Sequence, residues 1–119
     1  MSLSIELFYQ PQRCGDNNVC VIYDDVVWER NITHNLNKMA KKAKLYKVMW
    51  KPEKLGVDTA EKAIPYLEKG LKKLKRKKDK LLKYQPENGW GTYDDLLQFV
   101  EDYLNNCRQH PDSQIYITK

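Results

Sequence analysis

His34 is one of two histidines in the chain and stands in Asn31-Ile32-Thr33-His34-Asn35, where four polar side chains able to hydrogen-bond or hold a metal fall within five residues. An imidazole beside two carboxamides and a hydroxyl can aim hydrogen bonds at a ligand. If a helix starts here, its free backbone N–H groups and positive dipole end favour phosphate or carboxylate. The same residues also have a structural use, with Thr33 capping the helix and Asn31, His34 and Asn35 satisfying backbone groups of a crowded turn. The two uses differ in free energy. If His34 satisfies a buried group, His34→Ala costs about 1–3 kcal/mol. If it faces an open pocket, the unliganded protein melts almost unchanged. The open pocket is the expectation, because His34 follows the cap residue into the first turn.

A second polar segment, Asn88-Gly89-Trp90-Gly91-Thr92-Tyr93, also stands where a helix should start. Should both helix starts open on one side of the domain, Trp90 or Tyr93 can stack on a planar base while the N-termini hold phosphates. The site so composed is Asn31, Thr33, His34, Asn35, Asn88, Trp90, Thr92 and Tyr93, and its expected ligand is a small anion of nucleotide type. The structural alternative makes Trp90 an aromatic plug under a loop that the two glycines allow to turn.

Charge supplies the competing site. Between positions 72 and 83 stand Lys72, Lys73, Lys75, Arg76, Lys77, Lys78, Lys80 and Lys83 against one acid, Asp79, so this run holds more than the whole net excess of +5. Such a run is usually a solvated helix face, and its sharper use is contact with nucleic-acid phosphates. No aromatic residue interrupts it, so on its own it lacks a stacking platform for single strands.

Catalysis has thinner support. His34 as general base, oriented by Asp24, Asp25 or Asp94, would give a small nucleotide-processing enzyme. There is, however, no Gly-x-Ser-x-Gly turn, no phosphate-binding glycine loop with its lysine and no paired metal-ligand histidines. The residues favour a binding protein without a cofactor. His110 before Pro111 reads as a helix-end residue.

The segments Asn31 to Asn35, Met39-Ala40, Pro86 to Tyr93, and Leu96 to Cys107 followed by Pro111-Asp112 resemble a family of small uncharacterised phage and bacterial proteins. That family carries an Asn-Ile-Thr-His-Asn segment early and a Pro-Glu-Asn-Gly-Trp-Gly-Thr-Tyr segment late, and the resemblance runs from Trp28 to the C-terminus. It implies a phage-linked origin, for which sequestration of a host defence signal is a conceivable use, and no established activity. The dense lysines of 72–83 are not part of its pattern.

Elements must position these residues. Leu3, Ile5, Leu7 and Tyr9 alternate as a strand ended by Pro11, and after a loop over Gln12 to Asn18 a second strand resumes at Val19 to Tyr23 and can continue through Val26-Val27-Trp28. Leu36, Met39, Ala40, Ala43 and Tyr46 predict a first helix capped by Thr33 and broken at Lys51-Pro52, with Lys38, Lys41, Lys42 and Lys44 turned to water. Pro52 to Leu55 should form one turn before Gly56. Asp58 with Glu61 resembles a capping box for a second helix striped by Ala60, Ala63, Ile64, Leu67, Leu71 and Leu74, in which Pro65 demands a kink or a junction. Thr92 with Asp95 caps a third helix ended by His110-Pro111, and Gln114 to Thr118 closes the chain as a strand beside the first. The class is α+β: one two-layer domain over 1–119, with a small antiparallel sheet of about three strands in β-β-α-α-α-β order covered by three helices.

Composition is consistent with this. At 119 residues and 41% hydrophobic, without a long apolar run, the chain should bury one core and be a soluble cytoplasmic protein, in the host cytoplasm if phage-encoded, with a homo-oligomer left open and no membrane partner. Cys14, Cys20 and Cys107 cannot all pair and match no zinc spacing, so they read as reduced thiols.

Overall fold

Leu3, Ile5 and Leu7 put three fully buried side chains on one face of β1 (Ser2–Tyr9), the central strand of the computed structural model, which describes residues 2–9, 25–85 and 91–119. β1 pairs antiparallel with β2 (Asp25–Thr33) on one side and β3 (Gln114–Thr118) on the other, so the sheet order is β2-β1-β3 and the closing strand lies beside the first, as expected. The register Leu7↔Trp28 and Leu3↔Ile32 turns Trp28 and Ile32 toward the core with β1's apolar face. The opposite face, with Glu6, Phe8, Val26 and Tyr116, is not buried, which gives two layers.

The expected strand at Val19 to Tyr23 and the loop before it lie outside the described residues. The strand that pairs with β1 begins at Asp25 and runs on to Thr33, which carries Asn31 and Thr33 into the sheet rather than into a loop.

The single first helix is corrected to three pieces. A 3₁₀ turn (His34–Leu36) leads into α1 (Asn37–Lys42), and α2 (Tyr46–Trp50) follows after a reversal. α1 is closed by Lys44 N–H to Lys41 O at 3.1 Å and Leu45 N–H to Ala40 O at 2.8 Å, with Lys44 at φ 63°. This is the left-handed helix stop that glycine normally fills. Its cause lies on the neighbouring helix, α3 (Ala60–Arg76), because a Cβ at Gly70 would sit 2.1 Å from Leu45 Cδ2. Leu45, fully buried, packs into that notch only if the chain reverses just before it.

Between α2 and α3, Pro52–Leu55 forms the expected single turn, closed by Gly56 at φ 69°. The capping box expected at Asp58 and Glu61 does not form. Ala60 N–H and Glu61 N–H instead donate to Ser113 O and Pro111 O at 2.9 and 3.0 Å, so carbonyls of the segment before β3 satisfy the helix start, and Asp58 pairs with Lys62 at 2.9 Å. α3 runs through Pro65 without a break. Pro65 and Glu61 are exposed, so water can reach the carbonyl that the proline leaves without a donor. The chain then steps through α4 (Lys78–Leu81) and a 3₁₀ turn (Leu82–Tyr84).

α5 (Tyr93–Gln109) buries Leu96, Phe99, Val100, Tyr103, Leu104 and Cys107 against α3 and the sheet. Trp28 of β2 stacks on Tyr103 at 5.1 Å and meets Phe99 edge-on, which joins sheet and helix. No helix among the described residues is long and apolar enough to cross a membrane.

Two outcomes follow from this packing. Gly70→Ala gains helix propensity of about 1 kcal/mol but must displace Leu45, so a net loss of about 1–2 kcal/mol and a melting temperature lower by several degrees are expected in calorimetry. Burial also pushes the Cys107 thiol from its ordinary 9.0 up to about 12. The unfolded chain therefore loses this proton first as pH rises, so stability should hold below pH 9 and fall between about 9 and about 12, by at most about 1.4 kcal/mol per pH unit for this group. Tyr93 and Tyr103, raised by burial, add in the same direction at higher pH. Denaturant midpoints across that window measure the slope, and a flat profile would contradict it.

Candidate functional site

Thr33 ends β2 in extended backbone and its Oγ1 accepts from Asn35 N–H at 3.3 Å, so it caps as expected. What it caps is a three-residue 3₁₀ turn, and α1 behind it, with Leu36 at its N-cap position, has no side-chain cap. The aligned peptides that would build a strong dipole for an anion are absent at this start. His34 is half-buried: its Nδ1 accepts from Trp50 Nε1–H at 2.9 Å, and Trp50 is only 3% exposed and stacked on Tyr46. His34 thus satisfies a buried donor, against the expectation of an open pocket. Asn31 and Asn35 are exposed.

Of the second segment, Asn88 and Trp90 lie outside the described residues. Thr92 and Asp95 form the expected capping box at the start of α5, with Asp95 N–H to Thr92 Oγ1 at 3.1 Å and Thr92 N–H to Asp95 Oδ2 at 3.0 Å. Tyr93 N–H donates to Gln85 Oε1 at 3.0 Å. The donors an anion would need are therefore partly used, beside the two carboxylates Asp94 and Asp95. Tyr93 is buried, and its hydroxyl donates to Leu74 O at 2.7 Å. Its ring is core, not a stacking surface.

The two segments do meet. Gly91, at φ 108°, lies so close to β2's end that a Cβ there would be 2.7 Å from Thr33 Cγ2 and 3.0 Å from Leu36 Cγ. Between them is a hollow of about 350 Å³ whose lining includes Arg30, Asn31, Thr33, Asp95 and Gln98. Its charges are spent internally, since Arg30 pairs with Asp102, Gln98 Nε2–H donates to Asp102 Oδ1 at 3.0 Å, and Asp95 is the cap.

A different concavity holds unspent charge. α1 and its reversal contribute Lys41, Lys42 and Lys44; across from them stand Lys73 of α3, Lys77 at its end, Lys80 of α4 and Lys83 of the turn, around a cavity of about 620 Å³ with Leu81 and Tyr84 in its wall. Seven lysines line it and, among the described residues, no carboxylate does. Desolvation and then the charges of Lys77, Lys44 and Arg76 hold the Lys73 ammonium below its ordinary value. Lys41, Lys42 and Lys44 are exposed, as the helical pattern predicts, and the same face borders the groove. Helical phase splits the basic run of 72–83: Lys73, Lys77 and Lys80 face the groove, whereas Lys75 pairs with Glu101 at 3.5 Å and Lys72 lines another hollow with Glu68 and Arg108. Lys78 lies over the Tyr93 ring at 5.4 Å, and Arg76 is exposed. The spacing 73, 77, 80 was readable as one helix face; its meeting with the first helix was not.

No group of three or more His, Cys, Asp or Glu among the described residues could hold a metal ion. No family model matches the chain, and neither a curated protein nor a solved structure matches it significantly.

The His34 contact has a measurable outcome. His34→Ala should leave the Trp50 indole N–H buried without its acceptor, at about 1–3 kcal/mol and several degrees of melting temperature. An unchanged melt would mean that the indole finds another partner.

Proposed function

We propose that this chain is a binding module for phosphate-rich nucleic acid, held without turnover in the groove between α1 and the α3–α4 face. The observation that carries the reading is the convergence of seven lysines, and no carboxylate among the described residues, on one cavity. Without a ligand, desolvation and then the neighbouring cationic charges hold the Lys73 ammonium below its ordinary value; phosphate oxygens would offset the repulsion. The volume, about 620 Å³, lies in the range of nucleotide-sized ligands, so a free nucleotide shares the chemistry and belongs in the same test. Lys44 adds a second support. It stands at φ 63°, where glycine would be easier, and a non-glycine held in that region is a reason to look for a use of its side chain. Nucleotide capture at the hollow beside Thr33 and Gly91 would set the anion beside Asp95, a repulsion the groove lacks.

Titrating labelled oligonucleotide or nucleotide by fluorescence anisotropy tests the reading. Lys73→Gln with Lys77→Gln is expected to weaken binding about tenfold or more at low salt and to lower the salt slope by about two, roughly one per lost phosphate contact. Lys72→Gln with Lys75→Gln, on the other flank, should change little. Equal effects from the two pairs would sink the groove as the site. Lys44→Gly should separate the two properties, raising the melting temperature by a few degrees as backbone strain of about 1–2 kcal/mol is relieved while binding weakens.

A further inference from the structure

The groove does not stop at Lys41 and Lys44. Both residues also wall an adjoining hollow of about 400 Å³, lined further by Tyr46, Lys47, Leu55 and Tyr66. The two cavities therefore form one cationic track with Lys41 and Lys44 at its waist. An open tyrosine stands in each: Tyr84, 36% exposed, in the groove, and Tyr66, 38% exposed, in the hollow. Neither ring is needed by the core. Tyr46 differs, because the buried Trp50 stacks on it. It is wall rather than platform.

We propose that the track selects single-stranded over duplex nucleic acid, with one base stacked on Tyr84, another on Tyr66, and the phosphates between them held by Lys41, Lys44, Lys73 and Lys77. The proposal rests on the phosphate-binding reading of the groove and adds a substrate class to it. In a duplex the base faces are covered by their neighbours, so a protein meets phosphates and groove edges and exposed tyrosines gain nothing. In a single strand every base offers a face, and a basic track with aromatic rings along it binds with little regard to sequence. The lysine run has no aromatic residue of its own. The fold supplies them from elsewhere, Tyr66 one turn and more before the run and Tyr84 just after it. Lys42 already places its ammonium 5.7 Å from the Tyr84 ring centroid, where it would also meet the phosphate beside a stacked base.

Anisotropy titrations with labelled single-stranded DNA, single-stranded RNA and a duplex of equal length, together with competition by inorganic polyphosphate and by anionic vesicles, test this on the wild type and on Tyr66→Ala, Tyr84→Ala, Tyr66→Phe and Tyr84→Phe. Single strands of at least one kind should bind more tightly than duplex. Each alanine variant should lose about tenfold in single-strand affinity, leave affinity for duplex and inorganic polyphosphate unchanged, and be rescued by phenylalanine. Both rings are exposed, so melting curves should match the wild type and exclude misfolding as the cause. Duplex bound as tightly as single strands, alanine variants that bind single strands like the wild type, or binding to anionic vesicles alone would each overturn the proposal. If polyphosphate and every oligonucleotide failed to bind, the groove reading itself would fall; polyphosphate binding without single-strand preference would remove only the selectivity.

Discussion

Leu45 reaches the backbone of α3 because position 70 carries no side chain, and much of the molecule follows from that approach. Burying a leucine is worth about 1.5–3 kcal/mol. To gain it the chain must end α1 and reverse within two residues, which places Lys44 in the left-handed region at a cost of about 1–2 kcal/mol. The same step sets Lys41, Lys42 and Lys44 opposite Lys73 and Lys77. The charge cluster is thus a by-product of an apolar contact: lysines on the surface, where water screens them, lose less by facing one another than the leucine gains by burial.

Several of the described polar residues that crowd together in sequence are engaged within the fold. Thr33 caps its turn, His34 holds the Trp50 indole, and Thr92 and Asp95 close a reciprocal box. Gly91 seals the seam by letting one backbone touch the other segment's Thr33 and Leu36. Hydrogen-bond capacity consumed internally leaves little for a ligand. The lysines around the groove are the reverse case, scattered over four elements and without a carboxylate in the shared lining among the described residues.

The outer flank of α3 shows what the same residue type does when acids are near. Lys75 meets Glu101, and Glu68 meets Arg108 at 3.1 Å, so α3 and α5 are laced by exposed ion pairs. Pairs of this kind contribute about 0–1 kcal/mol each and orient side chains more than they stabilise the fold. Their greater effect is to divide one basic run into a neutralised flank and a charged one.

Periodicity in the sequence determined the strands around Leu3–Leu7 and Gln114–Thr118, the α5 stripe from Leu96 to Cys107 and its Thr92–Asp95 cap, because alternation, helical spacing and capping are local properties of neighbouring residues. The α+β class followed from them, and the single turn at Pro52 followed from its proline and glycine; the pairing of the last strand with the first, though expected, is a long-range contact settled by the fold. The Asp58–Glu61 cap failed because carbonyls of Pro111 and Ser113, some fifty residues away, reached the α3 start. The unbroken first helix failed because Gly70 drew Leu45 out of line, and the open His34 failed because Trp50, sixteen residues on, needed an acceptor. The groove belongs to the same kind. Its lysines were plain in the sequence, but whether an ammonium faces water, a carboxylate or six others depends on which helix faces pack together, and that is decided by apolar contacts between residues far apart in the chain.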